Sequence, residues 1–443
     1  MNKDYQTYIQ ELLGPRYDDY CQSLEQPFHQ GFRINTLKID PQTFFAYYPL
    51  ACKPSPFAKN AYVMDKVTSL GNSIFHKQGL IYVQEASAAS VVDLLDIQKG
   101  DKVLDMCSAP GGKATQIAQN LDNTGLLVAN EIENARAIKL LSNIERWGIN
   151  NCIITNDQPA KIAKCFRGFF DRILVDAPCS GEGMFKKSDI AIQDWSLAHV
   201  NACANRQLQI LEEAYQCLKQ SGTLVYSTCT LNRIENEGVI ERFILAHPDM
   251  ELVKIDVSWG EAGFVTSIDT SKCRRIWPMD DAEGHFMAKL VKKGPSDSVH
   301  LNWPKSVVSK EAMSFLAQHW DQQPKYVYQN KDKIYAGNQP FYELKGLKVI
   351  RNQVLCGEMI KGRFEPHQHF YTAVGFNKTK TNNCLKPVEL DEADTINYFK
   401  GNTLNIADHK GYVALCHHQI NIGFAKGDGK ILKNKYPKGL RLF

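Results

Sequence analysis

VLDMCSAPGGKATQIA (Val103–Ala118) decides the fold. Lys102–Met106 reads as a short buried strand. The helical spacing resumes at Ala114, and Gly111-Gly112 lies between. A glycine turn between a strand and a helix lets the backbone approach a ligand closely. Pro110 and Lys113 flank the glycines, so the block departs from the GxGxxG dinucleotide fingerprint. It also lacks the GKS/T ending of a P-loop.

Working outward, the same alternation repeats. GLLVANEI (Gly125–Ile132) and NCIITND (Asn151–Asp157) read as buried strands ending in acids. Between them Glu133–Gly148 carries Ala137, Leu140, Leu141 and Ile144 on one helical face, with Gly148 as a stop. FDRILVDAPC (Phe170–Cys179) and GTLVYSTC (Gly222–Cys229) are the next strands. Helices are expected over about 85–95, 202–218 and 233–246, and a last strand over His285–Lys293. Strands alternating with helices predict a doubly wound parallel α/β sheet with its ligands at the carboxyl ends of the strands. Asp105, Glu131, Asp157, Asp176, Cys179 and Cys229 all fall at those ends.

The composition fits a soluble globular protein. A chain of 443 residues is too long for one core. The fractions of 44% hydrophobic and 23% charged are ordinary, and the net charge of +4 is too small to identify a partner. No apolar run approaches the ~20 residues that span a bilayer. The start, MNKDYQTYIQ, lacks a signal-peptide core. Thirteen cysteines without a CxxC pair argue against a disulfide framework or zinc ribbon and for a reducing cytoplasm. No metal is expected.

Four regions are expected. Residues 1–85 read as a small N-terminal α+β region, with a helix over 3–13 and a strand-like FRINTLKID (Phe32–Asp40). Residues 86–294 hold the alternating pattern. Residues 295–376 link, with a helix over 305–320 and a hairpin turning at Asn330-Lys331-Asp332. The polar stretch Asn377–Pro387 marks a boundary before residues 377–443, which end in short strands. From Lys426 to Phe443, Lys426, Lys430, Lys433, Lys435, Lys438 and Arg441 stand against one acid, Asp428. This run reads either as a solvated tail or, beside Tyr436 and Phe443, as an RNA contact.

Glu131 follows Gly112 by 19 residues (131 − 112), at the end of the next strand. An acid there can take both ribose hydroxyls, or can simply favour a helix N-terminus. A nucleoside carrying a carboxylate and no phosphate, S-adenosylmethionine, fits this loop. Methylating an oxygen or amine needs no thiol. Carbon 5 of cytosine does, because a thiolate adding at carbon 6 makes carbon 5 nucleophilic. Cys179 and Cys229, each after a strand and before a helix-starting segment, are equally placed to attack. Asp176 can hydrogen-bond ring nitrogen 3 of the adduct.

LDMCSAPGGK, DAPCSGEGMF and YSTCTLNRIENE closely resemble the motifs of RNA (cytosine-5)-methyltransferases of the Nop/Sun type. FRINTLK resembles that family's N-terminal signature. NIERWG and KNKYPKGLR resemble its bacterial branch acting on small-subunit ribosomal RNA, the rRNA methyltransferase F branch. The resemblance implies a Rossmann-like methyltransferase sheet, residues 1–85 as an RNA-binding region and a PUA-like RNA-binding module at 377–443. It implies Cys229 as nucleophile and Cys179 as the thiol that assists release. It implies a donor site of Cys107, Ser108, Ala109, Pro110, Gly111, Gly112, Lys113, Glu131, Asp157 and Asp176. Glu131 would hold the ribose and Asp157 would sit by the adenine, while Lys113 also orients the base. The family usually shows alanine at Ser108, and Lys186-Lys187-Ser188-Asp189 replaces a more usual Arg-Lys-Asp-Pro. The implied substrate is 16S rRNA in the 30S subunit, bound by a monomer, with transfer RNA as the alternative. A non-catalytic RNA-binding assembly factor is the reading from another class. The flipped or single-stranded target would be positioned by basic residues, with Arg33, Lys38, Lys186 and Lys187 as candidates.

Overall fold

In the computed structural model, residues 3–27, 29–64, 66, 68–186, 192, 195–295, 301–321, 323–375, 384 and 386–442 are described. Lys187, Ser188, Asp189, Phe443 and most of the stretch 377–387 lie outside them. β1 (Gln30–Ile34), β2 (Lys53–Pro54), β3 (Ala61–Met64) and β4 (Ile81–Val83) form an antiparallel sheet in the order β2-β3-β1-β4. A helix, Lys3–Leu13, precedes it as expected.

The central sheet holds β5 (Lys102–Asp105), β6 (Leu126–Asn130), β7 (Cys152–Thr155), β8 (Phe170–Asp176) and β9 (Leu218–Thr228). These five pair in parallel in the order β7-β6-β5-β8-β9. Their residues alternate between two cores, one on each face. Leu104, Val128, Ile153, Ile173 and Val175 enter one, and Val103, Leu127, Ile154, Leu174 and Val225 enter the other. This two-sided burial explains the continuous apolar runs. β5 leads to β6 on one side and has β8 on the other. The gap between β5 and β8 is the switch point at which open α/β sheets bind ligands.

Four later strands extend the sheet past β9: β10 (Met250–Val253), β11 (Glu261–Ala262), β12 (Arg274–Ile276) and β13 (His285–Lys292). β13 runs antiparallel to β9, and β10 and β12 both pair with it. Beyond them lie β14 (Tyr326–Asn330), β15 (Lys333–Gly337), β16 (Val349–Asn352), β17 (Val354–Ile360) and β18 (Arg363–Pro366). β14 and β15 make the expected hairpin, with Lys331 at positive φ. β16 comes from the segment expected to link two parts of the chain, yet it pairs antiparallel with β7 and forms the far edge of the central sheet. The last sheet is β19 (Val388–Glu389), β20 (Lys410–His417), β21 (Ile420–Asp428) and β22 (Leu432–Asn434).

Two expected helices are shorter than their spacing predicts. Over 85–95 there is one 3-10 turn, Ser87–Ala89, and a four-residue helix, Ser90–Asp93. The Glu85 carboxylate accepts from the backbone N–H of Ser87 and Ala88, and Asp96 ends the segment at positive φ. The helix expected from Arg233 begins at Glu237. Residues 232–236 are drawn inward by hydrogen bonds around the cysteines.

FRINTLK is not a surface strand, and Arg33 and Lys38 are not available to phosphate. The strand ends at Ile34, and both cations are buried. Arg33 donates to Gly112 O, Gln119 Oε1 and Thr115 Oγ1, and its guanidinium lies 4.6 Å over Trp147. Asn35 donates to Trp147 O and Lys38 to Arg146 O. These carbonyls end the helix Asn134–Trp147 and have no partner within it. The motif thus fastens the N-terminal sheet to the glycine helix and to its neighbour. No described helix is long and apolar enough to cross a membrane.

Candidate active site

The strand ends converge on one cleft of about 810 Å³ at the switch point. β5 supplies Met106 and Cys107, β6 supplies Glu131, β8 supplies Asp176 and Cys179, and β9 supplies Cys229. Arg206, Gln209 and Glu213 of the helix Leu197–Cys217 line the facing wall.

The glycine loop is built for close approach. Gly111 has φ +112°, and a Cβ there would meet Leu140 Cδ1 at 3.1 Å. The helix Gly112–Leu121 starts at once, so its first N–H groups have no carbonyl partner within the helix. Ser108 is turned inward: its N–H donates to Asn130 O and its hydroxyl to Asp105 O. Arg136 donates to Ala109 O, and Asn143 to Pro110 O. Burial pushes the Cys107 thiol well up, so it is an unreactive wall of the loop.

Glu131 is buried, its Oε1 accepting from Glu133 N at 2.9 Å and Arg136 standing 3.6 Å from Oε2. Ile132, next in the chain, offers an exposed apolar face. An acid, an apolar ledge and a helix N-terminus match the ribose, base and carboxylate of a nucleoside amino acid.

Asp176 divides its oxygens. Oδ2 accepts from Lys113 Nζ at 2.8 Å and Oδ1 from Ser227 Oγ at 2.7 Å. Burial works to lower the Lys113 pKa. Asp176, with smaller contributions from Cys229 and Asp105, outweighs it, and Lys113 is held above the usual lysine range. The Cys179 and Cys229 sulfurs lie 3.3 Å apart. The hydrogen bond with Cys229, then burial, push the Cys179 thiol well up. Both act against the Cys179 thiolate.

Comparison with known proteins places this chain in a family. The chain is 32% identical to the ribosomal RNA small subunit methyltransferase F of Shewanella sediminis, over 96% of its own length and 92% of that protein's. The chain belongs to the small-subunit ribosomal RNA methyltransferase F family. The protein of the same name from Shewanella woodyi is also 32% identical, with the same coverage. The family described as 16S rRNA methyltransferase RsmB/F matches residues 92–291. The N-terminal domain of 16S rRNA methyltransferase RsmF matches residues 1–86. The RsmF first C-terminal domain matches 314–374, and its PUA domain 385–442. Among solved structures, a methyltransferase homologue from Pyrococcus horikoshii is 31% identical. It covers 66% of this chain and 95% of its own, with a TM-score of 0.58. NSun6 from the same organism, solved with SFG, shares the fold at 22% identity, 66% and 99% coverage and a TM-score of 0.60.

As a family F methyltransferase, the chain is an RNA methyltransferase that uses S-adenosylmethionine. The expected Rossmann-like sheet and C-terminal PUA domain both belong to it. Of the expected donor residues, Cys107, Ala109, Glu131 and Asp176 line the cleft, whereas Ser108, Pro110, Gly111, Gly112, Lys113 and Asp157 do not. The Asp157 carboxylate accepts from Lys161 Nζ at 2.8 Å and from Lys348 N, beside β16, at 2.5 Å, and it does not line the cleft. Tyr436 is buried against Tyr398 and Phe399, so it is core and not a stacking surface for RNA. Lys426, Lys430, Lys433, Lys435 and Lys438 are exposed around it.

Asp105 was legible as a strand-end acid but not as a site residue. It is fully buried beneath the glycine loop, and neither carboxylate oxygen has a hydrogen-bond partner among the described residues. Burial, then the charge of Asp176, push it up to about 7. Glu182, Gln207 and Glu235, around the cysteines, carried no signal beyond their place in or near the cysteine blocks.

Proposed function

We propose that this methyltransferase modifies carbon 5 of cytosine in 16S rRNA, with Cys229 as nucleophile and Cys179 as the thiol of the release step. The observation that carries this reading is the pair of sulfurs 3.3 Å apart beside the Lys113–Asp176 ion pair. Transfer to oxygen or nitrogen has no use for two thiols. Carbon 5 needs one, because it is nucleophilic only once a thiolate has added at carbon 6.

When bound, S-adenosylmethionine would supply an electrophilic methyl group, with S-adenosylhomocysteine as the leaving group. Glu131 and the N–H groups opening the glycine helix hold its ribose and carboxylate. Asp157 would reach the adenine only by giving up its contacts with Lys161 and Lys348. Cys229 forms the bond to carbon 6, and the electron pair moved onto the ring makes carbon 5 the nucleophile. The proton that Lys113 and Asp176 share offsets the negative charge that develops at ring nitrogen 3. After methylation the carbon-5 proton leaves to a base in the cleft, the carbon–sulfur bond breaks, and Cys229 returns as thiolate. Cys179, held protonated, hydrogen-bonds that leaving sulfur.

The flanking regions support RNA as the body being held. Residues 1–85 brace the glycine helix, residues 295–376 add the edge strand, and residues 377–443 present the exposed lysines. On this reading a monomer engages 16S rRNA in the 30S particle.

The test uses full-length protein, labelled S-adenosylmethionine and small-subunit particles. Cys229→Ala is expected to give neither 5-methylcytosine nor a covalent complex. Cys179→Ala is expected to accumulate a denaturation-resistant protein–RNA complex. A complex that survives in Cys229→Ala and vanishes in Cys179→Ala reverses the two roles.

A further inference from the structure

The two cysteine loops are fastened to each other by carboxylates that cross over. Glu182 follows Cys179 in its loop, yet its Oε2 accepts from Leu231 N at 2.7 Å and Asn232 N at 2.8 Å, in the loop of Cys229. Glu235 follows Cys229, yet its Oε2 accepts from Ser180 N at 3.0 Å, in the loop of Cys179. The same oxygen accepts from Gln207 Nε2 at 2.7 Å, and that amide also donates to Pro178 O at 3.0 Å. Cys179 is thus gripped on both sides through Glu235. Asn232 joins the straps, donating to Glu182 Oε1 at 2.9 Å and Glu235 Oε1 at 2.8 Å. Ser180 Oγ and Thr230 Oγ1, each next to a cysteine, meet at 2.8 Å.

Glu182, Glu235, Asn232 and Gln207 are all buried. Buried carboxylates are costly unless their oxygens are fully engaged, and each of these turns its Oε2 to backbone N–H groups of the opposite loop, while Trp195 Nε1 donates to Glu182 Oε1 at 2.7 Å and Gln207 and Asn232 donate to Glu235. Neither Glu182 nor Glu235 lines the cleft.

We propose that Glu182 and Glu235 are positioning residues of the two-thiol step, each carried on the loop of one cysteine and holding the loop of the other. The inference rests on the reading above, in which Cys229 attacks and Cys179 serves release. It assigns the acids crosswise: Glu182 governs attack and Glu235 governs release. The charge of Glu235 also adds to the hydrogen bond and burial that keep Cys179 protonated.

The experiment follows formation and decay of the covalent protein–RNA complex in a single turnover of the full-length enzyme. Glu235→Gln places an amide donor against an existing donor, Asn232 or the Ser180–Gln207 pair, and loosens the Cys179 loop. The complex is expected to form and then decay about ten- to a hundred-fold more slowly. Glu182→Gln loosens the Cys229 loop, and complex formation is expected to slow by a similar factor while decay is little changed. Thr230→Val, a milder change, removes the Ser180–Thr230 contact and the 3.1 Å hydrogen bond from Asn232 Nδ2 but leaves both carboxylates in place, and is expected to slow decay about two- to ten-fold. Formation and decay falling together, in proportion to lost folded protein, overturn the proposal. So does wild-type partitioning in Thr230→Val and Glu235→Gln, or the reverse assignment of the two acids. A complex that still forms in Cys229→Ala instead overturns the reading of the thiols on which the proposal rests.

Discussion

Lys113 and Asp176 form a 2.8 Å ion pair across the switch point, between the helix after β5 and the end of β8. Lys113 is almost enclosed and Asp176 is 30% exposed, so the pair presents its carboxylate side to the cleft. The expected role of Asp176, a hydrogen bond to the ring nitrogens of the adduct, becomes a joint one with Lys113.

Asp176→Asn is therefore expected to lower the rate of the chemical step by about 10²- to 10³-fold, as for loss of a preorganised charge at a reacting group. Donor affinity, by calorimetry, should change much less. An equal loss in both would assign Asp176 to the donor alone.

Asp157 gives a contrasting case. Burial raises its pKa, but Lys161 and the Lys348 N–H outweigh that and hold it below the usual carboxylate range. A depressed carboxyl stabilises the fold above its unfolded pKa and loses that contribution as pH falls through the folded value. Asp157→Asn is expected to lower the melting temperature at pH 7, with the deficit shrinking toward pH 3. If adenine contact dominates instead, donor affinity will drop more than ten-fold while the melting temperature holds.

Asp105 predicts the opposite slope. Its ordinary pKa is 3.8, and the fold raises it to about 7. Between those values the folded chain keeps a proton that the unfolded chain has lost, so stability falls as pH rises. Asp105→Asn removes this dependence. In donor-free protein, the melting temperature of the variant relative to wild type should climb from pH 5 to pH 8. An offset independent of pH would mean that Asp105 is ionised in the fold throughout that range.

Arg33 and Lys38 should behave as structure, and the C-terminal lysines as RNA contacts. Arg33→Met leaves Gly112 O, Gln119 and Thr115 without their donor and is expected to destabilise by about 3 kcal/mol. Neither Arg33→Met nor Lys38→Met should change the salt dependence of RNA binding in protein that remains folded. Replacing Lys430, Lys433, Lys435 and Lys438 by Gln should flatten that dependence. Each lysine that neutralises a phosphate accounts for about one in the slope of log affinity against log salt. An unchanged slope would make the run a solvated surface.

The sequence by itself determined the parallel sheet, its strand ends and the residues gathered there. It could do so because strands buried on both faces must be apolar throughout, and because the turn at Gly111 needs a residue tolerant of positive φ. It also determined that two thiols were available, though their ranking rested on resemblance to known enzymes. The tertiary structure decided what each polar side chain faces. Arg33 and Lys38 read as surface charges because burial depends on a partner helix more than 100 residues away in sequence, whose Trp147 ring lies under Arg33 and whose Arg146 carbonyl accepts from Lys38. Asp157 read as a cleft acid because nothing local announces that β16, almost 200 residues later, brings the Lys348 N–H to it. The 3.3 Å between Cys179 and Cys229 likewise comes from two adjacent strands and crossed carboxylates. Long-range contact fixes which of several compatible hydrogen bonds a side chain makes, and periodicity holds no record of that choice.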